Sequence, residues 1–169
     1  LGAEYEEPYP HMIAVTKTGM ALRFTMWPLR EPSTSRGRMF GKLRENDEFV
    51  AVHKVYAEDD VCALTREGRI LCSNSNDVSL LGGPGLGVIF IKVDDDDEVV
   101  AAFLSKTDVS VEKDTGGTQK LGAATRAVTG RGGKGTELWK RGSIKKVILP
   151  EPVLPGLEVV TPREPERRG

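Results

Sequence analysis

The chain has 169 residues, a formal net charge of −1 at pH 7, and a composition of 38% hydrophobic and 29% charged residues. This balance is typical of a soluble globular protein. The longest strongly apolar run, residues 99–104, is far shorter than the roughly 20 residues that a membrane helix needs, so no membrane partner is expected.

Nineteen glycines and ten prolines predict many turns, and hence short strands rather than long helices. Residues 1–11 form an acidic extension that does not resemble a signal peptide, and a start at Leu1 rather than Met suggests a piece of a longer polypeptide. Runs of β-favouring residues then flank glycine turns. They predict one hairpin from residues 12–15 and 20–24, and a second from residues 61–64 and 69–72.

After each hairpin comes a loop, a glycine turn and a long extended pair. The predicted pairs are residues 39–43 with 49–55, and residues 88–93 with 99–104 across an Asp-rich turn. No stretch has the 3.6-residue periodicity of a good helix. The fold class is therefore predicted to be all-β.

These features repeat along the chain. Gly19, Gly68 and Gly117 are spaced by 49 and 49 residues, and a second set of glycines, at positions 37, 87 and 135, is spaced by 50 and 48. About four strands in a unit of about 49 residues is the arrangement of propeller-like blades. We predict three repeats, at residues 12–60, 61–107 and 108–149, and an extended Pro-rich tail at 150–169 whose end is disordered.

Two cysteines, Cys62 and Cys72, flank the second hairpin turn. A turn with two central residues places Ala63 opposite Cys72 and the two thiols on opposite faces. We therefore predict reduced cysteines, as in a cytosolic protein, although a longer turn would shift the register.

Charge is segregated into three blocks. Residues 17–44 carry seven cations against one acid, residues 45–119 carry six cations against sixteen acids, and residues 120–146 carry eight cations against one acid. A locally positive field attracts phosphates even when the net charge is near zero. The loop Arg131-Gly132-Gly133-Lys134-Gly135 stands out, because its glycines let the backbone approach a polyanion closely.

Other motifs favour structural roles. The basic loop is not a phosphate-binding loop of the nucleotide-hydrolase type, since no Ser or Thr follows Lys134, and residues 82–87 indicate a blade turn rather than a dinucleotide site. Asp94–Asp97 and the Asp59-Asp60 pair lack the spacing of a calcium loop and indicate solvated turns. Trp27 and Trp139 are interpreted as packing residues rather than base-stacking platforms. His11 and His53 have no evident catalytic partner.

The repeats, the basic glycine loop and the run from Gly85 to Val93 resemble the C-terminal domain of the A subunit of bacterial type IIA topoisomerases, most closely that of DNA gyrase. The resemblance covers residues 12–149. It implies a β-pinwheel, a propeller-like disc whose blades exchange strands and whose basic rim wraps DNA. It also implies a cytoplasmic, nucleoid-associated bacterial protein.

The gyrase group carries a Gln-Arg-Arg-Gly-Gly-Lys-Gly box, whose last five positions match Arg131–Gly135. Thr129 and Gly130 replace the first two positions, and the box lies in the third repeat instead of the first blade. The choice between gyrase and topoisomerase IV therefore stays open on these residues. Because the family usually has five or six blades, a fragment or reduced domain is favoured over two chains paired through open blade edges.

The predicted function is non-specific binding and wrapping of duplex DNA for strand passage and supercoiling, by a module without catalytic residues. The resemblance implies two further partners, the B (ATPase) subunit of the topoisomerase together with the remainder of its A subunit, and it implies ATP and Mg²⁺ only for the whole topoisomerase. Alternatives are a scaffold for protein contacts through the acidic middle repeat, a topoisomerase IV-type domain that does not wrap DNA, and an RNA-binding module. The predicted DNA contacts are Arg131, Gly132, Gly133, Lys134, Gly135, Lys140, Arg141, Lys145, Lys146, Lys120 and Arg126 in one patch, and Arg23, Arg30, Arg36, Arg38, Lys42 and Arg44 in a second.

Overall fold

The computed structural model describes residues 10–151, and their regular structure is almost entirely antiparallel β-strand. The helical segments in this range are three short 3₁₀ turns, at Trp27–Leu29, Ser75–Asp77 and Ala123–Arg126. The predicted all-β class is confirmed. The strands are β1 (His11–Thr16), β2 (Met20–Phe24), β3 (Phe49–Val55), β4 (Asp60–Thr65), β5 (Arg69–Asn74), β6 (Val88–Ile89), β7 (Val99–Leu104), β8 (Ser110–Lys113), β9 (Thr118–Lys120), β10 (Thr136–Glu137) and β11 (Ile144–Ile148).

The strands form three sheets that follow one another along the chain. The first sheet has the order β3-β1-β2-β6, the second β10-β5-β4-β7 and the third β11-β8-β9. Each sheet is built on a hairpin: β1-β2, β4-β5 or β8-β9. A later strand of the same repeat, β3, β7 or β11, pairs with the first strand of that hairpin. One edge strand of each of the first two sheets, β6 and β10 respectively, comes from the next repeat.

The first two hairpin turns have a Thr at the start and a glycine at the end. The N–H of Gly68 donates to the carbonyl of Thr65 at 3.0 Å, and Gly68 has a φ of 88°, a left-handed conformation that favours glycine. The Thr65 hydroxyl accepts from the N–H of Arg69 at 3.1 Å. In the third hairpin the equivalent glycine is Gly116, whose N–H donates to Lys113, so the predicted assignment to Gly117 is wrong by one residue.

The second hairpin corrects the prediction for the cysteines. Three residues lie between Thr65 and Arg69, so Leu64 faces Ile70 and Cys62 faces Cys72. The two sulfur atoms form a disulfide, with the Cα atoms 4.1 Å apart. The prediction of reduced cysteines is wrong because a three-residue turn ending in a left-handed glycine shifts the register by one residue relative to a two-residue turn.

The predicted long pairs across the acidic turns are also wrong. Residues 39–43 form no strand, and β6 pairs with β2 of the first sheet, with Val88 opposite Ala21. β10 pairs in the same way with β5 of the second sheet, and β7 pairs with β4. An apolar run does not specify which sheet edge receives it, and here β6 and β10 each cross to the hairpin of the preceding repeat. Because exchanged strands cross the repeat limits, the boundaries predicted for the three repeats remain predictions.

The core consists of apolar side chains between successive sheets. One cluster lies between the first two sheets and contains Ile13, Val61 and the fully buried Phe90, and a second lies between the last two and contains the disulfide, Phe103 and Leu121. This arrangement binds three small sheets into one structure.

Two further predictions involve residues at the ends. The predicted tail at 150–169 and most of the extension at 1–11 lie outside the described residues. Within residues 10–151, no helix is long and apolar enough to cross a membrane.

Candidate nucleic-acid interface

The basic glycine loop follows the hairpin of the third sheet and leads directly into β10, which belongs to the second sheet. Gly135 has a φ of 74°, and a Cβ at this position would lie 2.5 Å from the carbonyl oxygen of Ile70 in β5. A glycine is therefore required for the loop to enter the neighbouring sheet. The backbone path of the loop is therefore set by its packing against β5, and not by the charges of Arg131 and Lys134.

Both cations of this loop are exposed but have partners within the chain. Arg131 donates from Nε to the carbonyl of Asp77 at 2.7 Å and from Nη1 to that of Ile89 at 3.1 Å. The Nζ of Lys134 lies 3.0 Å from Oδ1 of Asp94, in the acidic turn of the preceding repeat. The acidic turn thus reduces the charge of the loop locally.

Two of the predicted DNA contacts, the buried Arg23 and the half-buried Arg126, hydrogen-bond to loops of the chain, and their assignment to a DNA surface stays a prediction. Arg23 is 8% exposed, and its guanidinium donates to the carbonyl of Val78 at 2.7 Å and to Asn76 at 2.9 Å. The guanidinium of Arg126 donates to the backbone carbonyls of Ser105, Thr107 and Leu121. Both arginines satisfy carbonyl groups of loops, which occupies guanidinium donors that a phosphate would need.

Three more predicted contacts are exposed but lie beside acids. Arg30 stacks over the ring of Trp27 at 4.0 Å and lies 3.7 Å from Glu31. Lys120 lies 3.7 Å from Asp108, and Lys145 lies 3.5 Å from Glu112. Surface pairs of this kind are weak and screened by salt, so these cations stay available to a stronger anion.

The remaining predicted cations are exposed and have no ion pair or side-chain hydrogen bond among residues 10–151. They are Arg36, Arg38, Lys42, Arg44, Lys140, Arg141 and Lys146.

One cation that the sequence predictions missed completes a pattern. Lys42, Lys92 and Lys140 occupy the same position of the three repeats, five residues after the glycines at 37, 87 and 135, and all three are exposed. The spacing is readable from the sequence, but Lys92 lies in the acidic block, where acids outnumber cations. We name these three lysines the junction row.

Backbone hydrogen bonds link the first two lysines of the junction row to the glycine loop of the next repeat. The N–H of Lys42 donates to the carbonyl of Gly85 at 2.9 Å, in the glycine loop of the second repeat, and the N–H of Lys92 donates to Gly133 at 2.8 Å, in the loop of the third. Each lysine is therefore tied to the loop that precedes the next lysine. Hydrogen-bonded backbone segments thus connect the regions of the three lysines from one repeat to the next.

The acidic turns are anchored by carboxylates. Asp47 accepts from the Thr18 hydroxyl at 2.6 Å and from the N–H groups of Thr18 and Glu48 at 3.0 and 2.9 Å. Partial burial raises the pKa of Asp47, but hydrogen bonds from Thr18, Thr16 and Glu48 outweigh burial and hold the pKa below its ordinary value of 3.8. Asp97 accepts from Glu67 and Glu98 in the second repeat.

Asp59 is a second anchored carboxylate, and it is buried. Burial raises the pKa of Asp59, but the N–H of Tyr56 and the ammonium of Lys106, 3.0 Å from Oδ1, lower it below the ordinary value. Within residues 10–151, no group of three or more His, Cys, Asp or Glu side chains is arranged to hold a metal ion.

Of the tryptophan side chains, one packs inside the chain and the other is exposed. Trp139 lies against Gly68 and donates from Nε1 to Gly142 at 2.7 Å, which confirms a packing role. Trp27 is 61% exposed, so the packing prediction is wrong for this residue. Nε2 of His53 lies 2.7 Å from the carbonyl oxygen of Ala102.

Comparison with known proteins places this architecture in a family. The pattern of the family described as DNA gyrase C-terminal domain, beta-propeller, matches residues 10–55 and 59–106, which together make up more than half of the chain. The DNA gyrase A subunit of Mycolicibacterium smegmatis is 26% identical over 133 residues, covering 76% of this chain and 16% of that protein.

Two solved structures share the fold. The C-terminal domain of DNA topoisomerase IV matches with a TM-score of 0.72 and 18% identity, and the match covers 89% of this chain and 49% of the other. The DNA gyrase A C-terminal domain matches with a TM-score of 0.69 and 20% identity, over 88% and 52%. The chain thus spans about half the length of these structures and a small part of the gyrase protein. With its exchanged strands and its match to the family pattern, the chain belongs to the family of DNA gyrase C-terminal domains with the β-propeller fold.

Proposed function

We propose that the chain binds the backbone of duplex DNA through the junction row. The observation that carries this proposal is the recurrence of an exposed lysine at one position of all three repeats, on backbone segments that are hydrogen-bonded in succession. Evenly repeated cations suit a ligand with evenly repeated anions. Duplex DNA, with one negative charge per roughly 1.7 Å of helix axis, is such a ligand.

The cations on both sides of the junction row extend the contact surface. Arg36, Arg38 and Arg44 flank Lys42, and Arg141 follows Lys140. Arg131 and Lys134 contribute less charge than the sequence predicts, because carbonyl groups and Asp94 already contact them. Contacts of this type neutralise phosphates and release counterions without reading the base sequence.

The test is a fluorescence-anisotropy titration of a labelled duplex over a series of salt concentrations. The triple variant Lys42→Ala, Lys92→Ala, Lys140→Ala should bind more weakly at low salt. Its plot of log K against log salt should be less steep by about 2.7, since each lost phosphate contact contributes about 0.9. Thermal denaturation verifies that the variant is folded.

A matched control removes the same charge elsewhere. Lys17, Lys54 and Lys106 lie outside the junction row, and the triple change of these residues to Ala should leave the salt slope nearly unchanged. If the two triple variants changed the salt slope equally, binding would depend on net charge alone, and the proposal that DNA contacts the junction row would be refuted. An absence of binding to any duplex at low salt would favour a scaffold for protein contacts.

We further infer that the chain presents DNA to a type IIA topoisomerase for strand passage and supercoiling. The family membership and the basic row support this inference. The remainder of the A subunit would then carry DNA cleavage, and the B subunit would hydrolyse ATP with Mg²⁺, in the bacterial cytoplasm. Binding that leaves the path of the DNA unchanged would instead fit a domain of the topoisomerase IV type.

A further inference from the structure

We propose that the exposed indole of Trp27, with the guanidinium of Arg30 stacked on it, forms a binding site for unpaired bases of single-stranded DNA. Trp27 is 61% exposed, whereas Trp139, the other tryptophan of the chain, packs against Gly68. This ligand differs from the duplex backbone that the junction row would contact.

The turn that carries Trp27 is closed by hydrogen bonds. The segment Trp27–Leu29 is a 3₁₀ turn with a proline near its start. The N–H of Leu29 donates to the carbonyl of Met26 at 2.9 Å. Arg30 donates from its N–H and from Nη1 to the carbonyl of Trp27, at 3.3 and 2.7 Å. The indole is therefore held on a fixed backbone, which lowers the entropic cost of binding a ligand.

The fold does not require a tryptophan at this position. Trp27 lies eight residues after the glycine of its hairpin turn, and Asn76 and Ala124 hold the same position in the second and third repeats. These two residues also lie in 3₁₀ turns, at Ser75–Asp77 and Ala123–Arg126. Because the same turn forms with an amide or a methyl side chain, the large indole serves no purpose that the turn itself imposes.

Neighbouring repeats leave this position open to solvent. Asn76 belongs to the second repeat, which has a repeat on each side, and it is exposed, as is Ala124. The turn of Trp27 also has its neighbour in place, since Pro28 lines one cavity with Pro84 of the second repeat. The exposure of Trp27 is thus a property of its place in the repeat.

The two faces of the indole have different surroundings. The guanidinium carbon of Arg30 lies 4.0 Å from the centroid of the ring, in a cation–π contact. With one face under this group and more than half of the residue still exposed, the opposite face is open to a ligand. A base on that face would complete a stack of base, indole and guanidinium. Every base has a π-face, so such a site tolerates any sequence.

The cations near Trp27 suit the phosphates that join successive bases. Arg30 and Arg38 line one open cleft of about 390 Å³, together with the acid Glu31. Glu31 lies 3.7 Å from Arg30 in an exposed pair, and such pairs are weak and screened by salt. Arg36 is exposed in the same loop. An aromatic face beside a positive groove is the combination that binds single strands.

The site lies next to the first lysine of the junction row. Pro84, which shares a cavity with Pro28, precedes Gly85, and Gly85 accepts from the N–H of Lys42 at 2.9 Å. A duplex that contains a short unpaired segment can therefore meet the lysine through its backbone and the indole through a base. Paired and stacked bases do not offer a face to Trp27, so a continuous duplex should not use the site.

Intrinsic fluorescence tests the stacking. Addition of an oligothymidylate at low salt should quench the emission of the unaltered chain, because a base stacked on an indole quenches it. The variant Trp27→Phe should show little quenching, since only the packed Trp139 remains. Equal quenching in the two proteins would place the bases away from Trp27 and overturn the proposal.

Fluorescence anisotropy of a labelled oligothymidylate tests the contribution to affinity. Trp27→Ala should weaken binding by roughly five- to a hundredfold, the effect of losing one stacked base, and Trp27→Phe should keep most of the affinity. Met26→Ala changes a neighbouring apolar side chain that is 49% exposed, and this control should bind as tightly as the unaltered chain. A blunt-ended duplex should bind Trp27→Ala and the unaltered chain equally.

Two results would overturn the assignment. Unchanged affinity of Trp27→Ala for the oligomer, or no binding of the oligomer by the unaltered chain, would remove the site. An equal loss for oligomer and duplex would make Trp27 part of a general DNA surface. Thermal denaturation verifies that Trp27→Ala is folded. Failure of the junction row to bind duplex DNA would leave these tests intact, because the oligomer contains no duplex.

Discussion

Asp47 anchors the turn between residues 43 and 49 through hydrogen bonds from Thr18 and Glu48. Its pKa is held below the ordinary value in the folded chain. Folding is therefore favoured by the ionised carboxylate, a contribution that is fully present above the unfolded pKa and is lost as pH falls through the folded pKa.

The change Asp47→Asn should lower the free energy of unfolding by about 1–3 kcal/mol at neutral pH, since charge-assisted hydrogen bonds to backbone and hydroxyl groups are lost. The difference from the unaltered chain should shrink as the pH is lowered below 3.8. Urea denaturation at pH 7 and pH 3 measures both quantities. Asp95→Asn, at an exposed position of the other acidic turn, is the control, and a pH-independent difference for Asp47 would contradict this account.

Arginines show the limit of sequence reasoning at this scale. Arg23 and Arg30 lie seven positions apart in the same basic block, yet the first is buried under loop carbonyls and the second is exposed beside Trp27. The residue type alone carries no information on which loop will cover a side chain. Charge counts therefore locate the basic blocks but do not show which of their cations are exposed.

At the scale of single elements, the hairpin turns combine a backbone requirement with a packing requirement. Gly68 and Gly116 have nearly the same φ, 88° and 90°. A Cβ on Gly68 would lie 2.4 Å from Cε2 of Trp139, whereas one on Gly116 would meet nothing within 4 Å.

Gly116→Ala should therefore cost only the left-handed conformation, about 1–2 kcal/mol. Gly68→Ala should cost this amount and about 1–3 kcal/mol more, because Trp139 must move. Chemical denaturation of the two variants gives the difference directly. Equal losses would show that Trp139 does not restrict the second turn.

The disulfide stabilises the second hairpin through the unfolded state. Linking two cysteines 10 positions apart restricts the unfolded chain by about 3 kcal/mol in the chain-entropy account. Reduction, or the double change Cys62→Ala, Cys72→Ala, should lower stability by about this amount, as measured by denaturation with and without a reducing agent. The double variant should not respond to the reducing agent, and a response of equal size would contradict the assignment.

At the scale of the whole molecule, binding and wrapping of DNA are separable. If the chain curves DNA along the junction row, ligation of a nicked circular DNA in its presence should leave a changed linking number after the protein is removed. The Lys42, Lys92, Lys140 triple variant should lose this change. Bending costs on the order of 1–6 kcal/mol for tens of degrees, so binding without a linking-number change would restrict the proposal to binding.

The all-β class, the three repeats and the basic blocks followed from the sequence, because glycine turns, β-favouring runs and charges are local properties that recur at a readable spacing. The family resemblance rested on the same local features. The same spacing predicts Lys92 as a member of the junction row, since its position repeats those of Lys42 and Lys140.

Only the tertiary structure decided which strands and side chains pair. A three-residue turn brings Cys62 opposite Cys72, β6 and β10 cross to preceding hairpins, and loop carbonyls accept hydrogen bonds from Arg23 and Arg126. Backbone hydrogen-bonding groups are the same in every residue, so the sequence does not specify which edge a strand joins. That choice depends on long-range packing.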